Sequence, residues 1–155
     1  MLNCLKLLLT VTIVVSLTAC EPSNPEPEKG AIKASSSIEV INPWLRKMPP
    51  GMDNTAAFMT IKNHTGKPLT LEDVSLDWAR MGMIHESKIV DGMAKMEHQD
   101  QLIIDDSLEF KPGGLHIMVM GIDQPLVDGQ DYNIFLHFAD REPLAVKFKL
   151  GQANQ

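Results

Sequence analysis

The stretch Lys111–Met120, "KPGGLHIMVM", joins a turn signal to a short apolar run. Proline followed by two glycines favours a tight turn, and the apolar run that follows is typical of a β-strand. Side chains alternate between the two faces of a strand, so the three aliphatic residues of this run share one face. The opposite face carries an imidazole and two thioethers, from His116, Met118 and Met120. One face suits a hydrophobic core, and the other requires a different explanation.

Similar short runs, separated by turn signals, occur throughout the region that follows residue 36. Eight of them are strand-like: SIEVINPW (37–44), AAFMTIKN (56–63), LTLEDVSL (69–76), RMGMIHES (80–87), GMAKMEH (92–98), LHIMVM (115–120), YNIFLHF (132–138) and LAVKFKL (144–150). No long helical period is present. Many short strands at close spacing predict an all-β, antiparallel sandwich. The order of the strands does not follow from this pattern.

The first twenty residues, "MLNCLKLLLTVTIVVSLTAC", contain a single cation, Lys6, followed by an apolar run and small residues. This pattern is typical of a secretory signal, and the apolar run is short for a membrane span. Its last four residues resemble a bacterial lipobox, which implies cleavage before Cys20 and lipidation of that cysteine. The alternatives are an ordinary signal peptide with an incidental cysteine, or an uncleaved anchor.

We therefore predict four segments along the chain. They are a signal peptide at 1–19, a lipidated Cys20 with a flexible tether rich in proline and serine at 20–37, a folded domain at 38–151 and a tail at 152–155. Such a protein would lie in the periplasm or cell envelope, anchored by lipid to a bacterial membrane, and we expect a monomer.

Charge and cysteine content narrow the classes of partner. The chain has 14 basic and 20 acidic residues, and loss of Lys6 with the signal would leave a net charge of −7. This charge argues against nucleic acid or anionic lipid as a binding partner and is compatible with cations. Of the two cysteines, only Cys20 would remain after cleavage. A lipidated Cys20 leaves no disulfide, so the fold must depend on its core.

Histidine and methionine are concentrated in one part of the chain. Apart from Met1, all methionines fall between Met48 and Met120. Thioether sulfur is a soft donor that selects Cu(I), and imidazole also suits copper. Without a cysteine in the domain a blue-copper centre is excluded, because such a centre needs a thiolate. This favours a protein that holds a copper ion and passes it on over one that transfers electrons. Three strand-like runs place histidine and methionine two residues apart, on one face: Met83/His85, Met96/His98 and His116/Met118.

Structural roles compete with ligation at each of these residues, because methionine often fills gaps in hydrophobic cores. We assign packing or loop roles to three methionines without a histidine two residues away: Met48, Met52 and Met59. We also expect His64 and His137 to have structural roles. The pattern leaves open the roles of His98 and of four methionines that could line the rim of a site: Met81, Met83, Met93 and Met120.

Several motifs resemble the periplasmic copper chaperone family known as PCuAC. They are Trp-x-Arg, Pro-Pro-Gly and Ala-Ala-aromatic within NPWLRKMPPGMDNTAAFMTIKN (42–63), then IHES (84–87), DGMAKME (91–97) and FKPGGLHIMVMGIDQPLVDGQ (110–130). The family's metal motif is a histidine, a methionine eleven positions on, and a later His-x-Met. The resemblance carries it onto His85, Met96, His116 and Met118. Nineteen residues separate Met96 from His116, two fewer than in the family pattern, and the loop at 99–108 is the natural place for the shortening.

The resemblance implies a cupredoxin-like Greek-key sandwich with a surface-accessible Cu(I) site. It also implies a metallochaperone that supplies the binuclear copper centre of cytochrome c oxidase, in subunit II, often beside Sco-type proteins. We expect no enzymatic activity, because recognisable nucleophile, zinc-protease and phosphate-loop motifs are absent from the sequence. The competing hypotheses are a copper-sequestering tolerance protein, a structural lipoprotein that binds no metal and, less favoured, a zinc enzyme.

Overall fold

The computed structural model describes residues 37–151, and these form strands joined by turns and loops, with no helix among them. Accordingly, this part of the chain contains no helix able to cross a membrane. The predicted signal peptide, Cys20, the tether up to residue 36 and the tail at 152–155 lie outside the described residues. The ten strands are β1 (Ile38–Arg46), β2 (Asn54–Asn63), β3 (Leu69–Ser75), β4 (Met81–Val90), β5 (Met93–His98), β6 (Leu102–Ile104), β7 (Ser107–Phe110), β8 (Leu115–Met120), β9 (Asp131–Phe138) and β10 (Leu144–Gly151).

The strands form one hydrogen-bonded path in the order β5-β4-β8-β2-β1-β10-β9-β3-β6, and β7 pairs with β2. Strand β2 pairs with β8 along its first half, at 54–57, and with β7 along its second half, at 59–62. Pairing between described strands is antiparallel except between β1 and β10, which run parallel. This parallel pair joins the first and last strands, which no short turn connects, so local sequence could not reveal it.

The path closes around one core. Strand β3, near one end of the order, packs against β4, near the other, and Gly82 of β4 lies at the contact. A Cβ at Gly82 would lie 3.0 Å from side-chain atoms of both Val74 and Leu76, so the absence of a side chain permits the close approach. The fully buried residues inside include Leu45, Ile61, Leu71, Ile117, Val119, Ile134 and Phe148. The inward aliphatic face predicted for β8 is therefore confirmed.

Strands β6 and β7 were not predicted from the sequence. They have three and four residues, too few for an alternating pattern to be recognised. Instead, the buried amide of Asn63 stabilises their connection. Its Nδ2 donates to the carbonyl oxygens of Ile104 at 2.8 Å and Asp105 at 2.7 Å, while its Oδ1 accepts from the backbone N–H of Thr65 at 2.9 Å. The Asn63 side chain thus stabilises two turns, neither of which could be recognised from an alternating pattern in the sequence.

The end of β8 is fixed against the start of β4 by Gly121. This residue has φ +69°, and a Cβ there would lie 2.6 Å from the Cβ of Arg80. The backbone N–H of Arg80 donates to the carbonyl oxygens of Met120 at 3.1 Å and Gly121 at 3.0 Å. These contacts set where β4 begins to pair with β8.

Replacing Gly121 with alanine should destabilise the domain by about 2 kcal/mol or more, because a left-handed conformation costs about 1–2 kcal/mol in an L-residue and the contact with Arg80 adds to it. Gly92→Ala is the matched control, since Gly92 has φ +75° with nothing within 4 Å of its Cβ position. Urea unfolding of the two variants checks this. Equal losses of stability would contradict a steric role for Gly121.

Candidate metal site

Three histidines form a row across three neighbouring strands. His85 of β4 lies directly opposite His98 of β5 on one side and directly opposite His116 of β8 on the other. The ring centroids of His85 and His98 are 5.7 Å apart, those of His85 and His116 are 6.0 Å apart, and both pairs meet edge to face at 89°. Directly opposed residues share a face of the sheet, so the row lies on one surface.

The two predicted thioether ligands lie on the same surface. Met96 is opposite Ser87 and Met118 is opposite Met83. Both Ser87 and Met83 are two residues from His85, and residues two apart share a face. The register therefore brings His85, Met96, His116 and Met118 to one face of β5-β4-β8.

A cleft of about 440 Å³ opens on this face, and its lining includes Met96, His116 and Met118. The β1–β2 loop also lines the cleft and contributes Met48 and Met52. These two methionines were assigned from the sequence to packing or a loop. They do lie in a loop, but they line the cleft, so sequence reasoning missed them as site residues. The sequence signal that could have identified them is their position on either side of the Pro49–Gly51 turn, because a chain reversal there can bring both side chains back toward the sheet.

Phe58 of β2 supports the cleft from below. It is buried, its ring centroid lies 6.4 Å from that of His116, and Trp44 covers it at 4.5 Å. The guanidinium of Arg46 lies 5.2 Å from the same ring centroid, within the range of a cation–π interaction. The Trp-x-Arg and Ala-Ala-aromatic motifs therefore build one aromatic support beneath His116.

The turn before β8 determines which nitrogen of His116 is available. Nδ1 of His116 lies 3.0 Å from the carbonyl oxygen of Gly114. A carbonyl can only accept, so Nδ1 carries the hydrogen, and in the neutral ring the lone pair is on Nε2. His116 is only 6 % exposed, so its ring has little room to reorient. The Pro-Gly-Gly turn thus prepares Nε2 as a donor to a metal.

His85 has a buried nitrogen without a partner. Its Nδ1 is the one buried side-chain N or O atom among the described residues that lacks a hydrogen bond. Burial lowers the pKa of His85 below its ordinary value of 6.5, and the neighbouring His116 and His98 lower it further. A buried polar atom usually has a partner. A neutral imidazole with an unpartnered nitrogen is well suited to binding a metal ion.

Within residues 37–151, no three histidine, cysteine, aspartate or glutamate side chains are grouped closely enough to hold a metal. A preformed site with three or four side-chain ligands on this face therefore includes thioether sulfur. That donor set favours a soft ion such as Cu(I) over zinc or hard cations.

The remaining histidines and methionines have other surroundings. His64 lies 3.0 Å from a carboxylate oxygen of Glu39, and Nε2 of His137 lies 2.6 Å from Oγ of Ser75. Met59 is buried in the core, as predicted. Met81 lies opposite Met120 on the face of the cleft, which extends the thioether surface beyond the predicted ligands.

Comparison with known proteins identifies a family to which this chain is similar. The family described as "Putative lipoprotein LpqE-like" matches residues 38–150. A relative from Leifsonia xyli subsp. xyli, "Putative lipoprotein Lxx21020", is 29% identical over 142 residues, covering 88% of this chain and 84% of that protein.

Solved structures with the same fold include the following two. The solution structure of CuI-DR1885 from Deinococcus radiodurans is 28% identical, with a TM-score of 0.59 and coverage of 79% of this chain and 84% of that one. The copper-bound PCuAC domain from PmoF2 is 19% identical, with a TM-score of 0.61 and coverage of 74% and 92%. The PCuAC resemblance and the cupredoxin-like, all-β fold class predicted from the sequence are confirmed.

The lowered pKa of His85 predicts a pH dependence of stability in the metal-free protein. As pH falls, the unfolded chain takes up a proton at His85 before the folded protein does, because the pKa in the folded state is below 6.5. This contribution to stability is present above pH 6.5 and is lost as pH falls through the pKa of the folded state. His85→Asn should therefore flatten the decline in unfolding free energy below pH 6.5, measured by urea unfolding. A ring that titrates at or above 6.5 by NMR would contradict the assignment.

Proposed function

This chain belongs to the LpqE-like lipoprotein family, and from that premise we propose that it is an extracytoplasmic metallochaperone. It binds one Cu(I) ion through His85, Met96, His116 and Met118. The observation that carries the proposal is the shared face of β5-β4-β8, which holds two imidazoles and two thioethers. Met96, His116 and Met118 line the surface cleft on this face, and His85 lies directly opposite His116.

The donor set supports monovalent copper as the cargo. Thioethers favour Cu(I), and the described residues offer no preformed group of three harder ligands. The comparisons add support, since DR1885 was solved in its CuI form at 28% identity to this chain. The PmoF2 domain, at 19% identity, supports only the fold.

The four ligands are uncharged, so the bound ion keeps its positive charge. A cysteine thiolate would neutralise that charge and hold the ion more firmly, whereas neutral ligands exchange more readily with those of a partner. Met96 is 66% exposed on the edge strand β5, whereas Met118 is half-buried and His116 is buried. We propose that transfer proceeds stepwise, with Met96 exchanged first and His116 last. This role requires no catalysis.

The proposed destination of the copper is the binuclear centre of cytochrome c oxidase subunit II, with Sco-type proteins as further partners. The proposed location is the periplasm or cell envelope, with lipid on Cys20 as the membrane anchor. Relatives named as lipoproteins support this location.

Replacing both Met96 and Met118 with leucine should abolish Cu(I) retention against a competing chelator in an anaerobic titration. Leucine nearly conserves the volume of methionine, and such substitutions usually cost less than about 1.5 kcal/mol of stability. The variant should therefore remain folded by circular dichroism.

The matched control is Met93→Leu with Met59→Leu. Met93 is 61% exposed on the opposite face of β5, and Met59 is buried in the core. This control removes two thioethers without touching the cleft and should retain Cu(I). Unchanged Cu(I) affinity in the Met96/Met118 variant would reject the assigned site. Absence of stoichiometric Cu(I) in the unaltered protein would favour a structural lipoprotein, and preferential Zn(II) binding would favour a zinc protein.

The proposed destination makes a separate prediction in cells. Deleting the gene should lower cytochrome c oxidase activity under copper limitation, and a copy with the Met96/Met118 leucine substitutions should fail to restore it. Raised copper sensitivity with unchanged oxidase activity would instead indicate sequestration for tolerance. Spectroscopic measurement of oxidase activity in membranes, beside growth on added copper, separates the two.

A further inference from the structure

His98 lies beside the proposed Cu(I) site, but the site does not use it. It is on the edge strand β5, opposite His85, and its side chain is 51% exposed. Its Nε2 lies 3.3 Å from Oδ1 of Asp100, whose side chain is 93% exposed. His85, His98 and Asp100 thus offer two imidazoles and an adjacent carboxylate at the open edge of the sheet.

Distances in the histidine row allow His85 to share an ion with either neighbour. A metal–nitrogen bond is about 2 Å and the ring centre lies about 1 Å beyond, so two imidazoles on one ion have centroids up to roughly 6 Å apart. The separations of 5.7 Å to His98 and 6.0 Å to His116 both meet this limit. By contrast, His98 and His116 lie two strands apart, or roughly 10 Å. One ion therefore cannot bind both of these rigid rings, whereas the flexible thioether of Met96 extends from β5 into the cleft that His116 lines.

The two sides of His85 differ in donor chemistry. Toward β8, His85 meets His116 and the cleft that Met118 also lines; Met96, although it belongs to β5, lines the same cleft, whereas neither His98 nor Asp100 does. On the β5 side, an ion would meet imidazole, the Asp100 carboxylate and water. Nitrogen and oxygen donors in an open arrangement favour Cu(II), whereas thioethers favour Cu(I).

We propose that His85 and His98, with Asp100, form a second, outer position that binds Cu(II). The described residues hold no preformed group of three such ligands, so the exposed Asp100 and water complete the coordination after the ion arrives. The inference rests on the proposed function, because His85 is shared and the two positions are mutually exclusive. The oxidation state of the available copper then decides which side of His85 is occupied.

His98→Asn tests the outer position. Added Cu(II) should bind at least about tenfold more weakly to this variant in competition with a chelator, since one of two imidazole ligands is lost, while anaerobic Cu(I) affinity stays within about twofold. Pulsed electron paramagnetic resonance should count two imidazoles on Cu(II) in the unaltered protein and one in the variant. The matched control is His64→Asn, because His64 is also 51% exposed beside a carboxylate, Glu39. It should change neither affinity.

The Met96/Met118 leucine variant supplies the reciprocal test. It should lose Cu(I) but keep Cu(II) within about twofold, because no thioether serves the outer position. Equal Cu(II) affinity in the His98→Asn and unaltered proteins would overturn the inference, as would loss of Cu(II) in the leucine variant. A parallel loss of Cu(I) in His98→Asn would also overturn it, by placing His98 in the Cu(I) site. Failure of the proposed function is distinguishable, since it shows as absence of Cu(I) binding in the unaltered protein.

Discussion

The register of β4 between β5 and β8 is the constraint on which the site depends. A slip of one residue would turn His85 toward the core and Ile84 toward the surface. Ile84 and Ile117 face each other across the β4–β8 pair, and both are buried. Burying an aliphatic side chain of this size stabilises the fold by about 1.5–3 kcal/mol. The residues that position the proposed ligands are therefore the buried aliphatic residues on the opposite face of the sheet.

Elements outside the three strands complete the site by fixing side-chain orientation. The carbonyl of Gly114 sets the tautomer of His116, and the ring of Phe58, covered by Trp44 and Arg46, supports the imidazole. The strand register places a side chain on the correct face of the sheet. Neighbours such as Gly114 and Phe58 then determine which atom of that side chain is available. Motifs that look unrelated in the sequence thus serve the same histidine.

The features predictable from the sequence are those that depend on local alternation. The inward and outward faces of β8 follow from side-chain order alone, and so does the pairing of His116 with Met118 on one surface. Features that depend on contacts distant in sequence were not predictable. Strands β6 and β7 are stabilised by Asn63, some forty residues earlier, and Met48 and Met52 reach the cleft through the fold of a loop. The convergence of strands into one cleft required the strand order, which the alternation does not contain.

The exposure of β5 has a mechanical consequence. All six residues of this edge strand are exposed, so its attachment depends on the backbone ladder to β4 rather than on burial. Segments of this kind open locally at low free energy. An ion held jointly by Met96 of β5 and Met118 of β8 would bridge across β4 and so tie the edge strand to the rest of the sheet. Local opening of β5 and release of the ion would then be coupled. A partner that draws β5 away from the sheet would release the ion by the same motion.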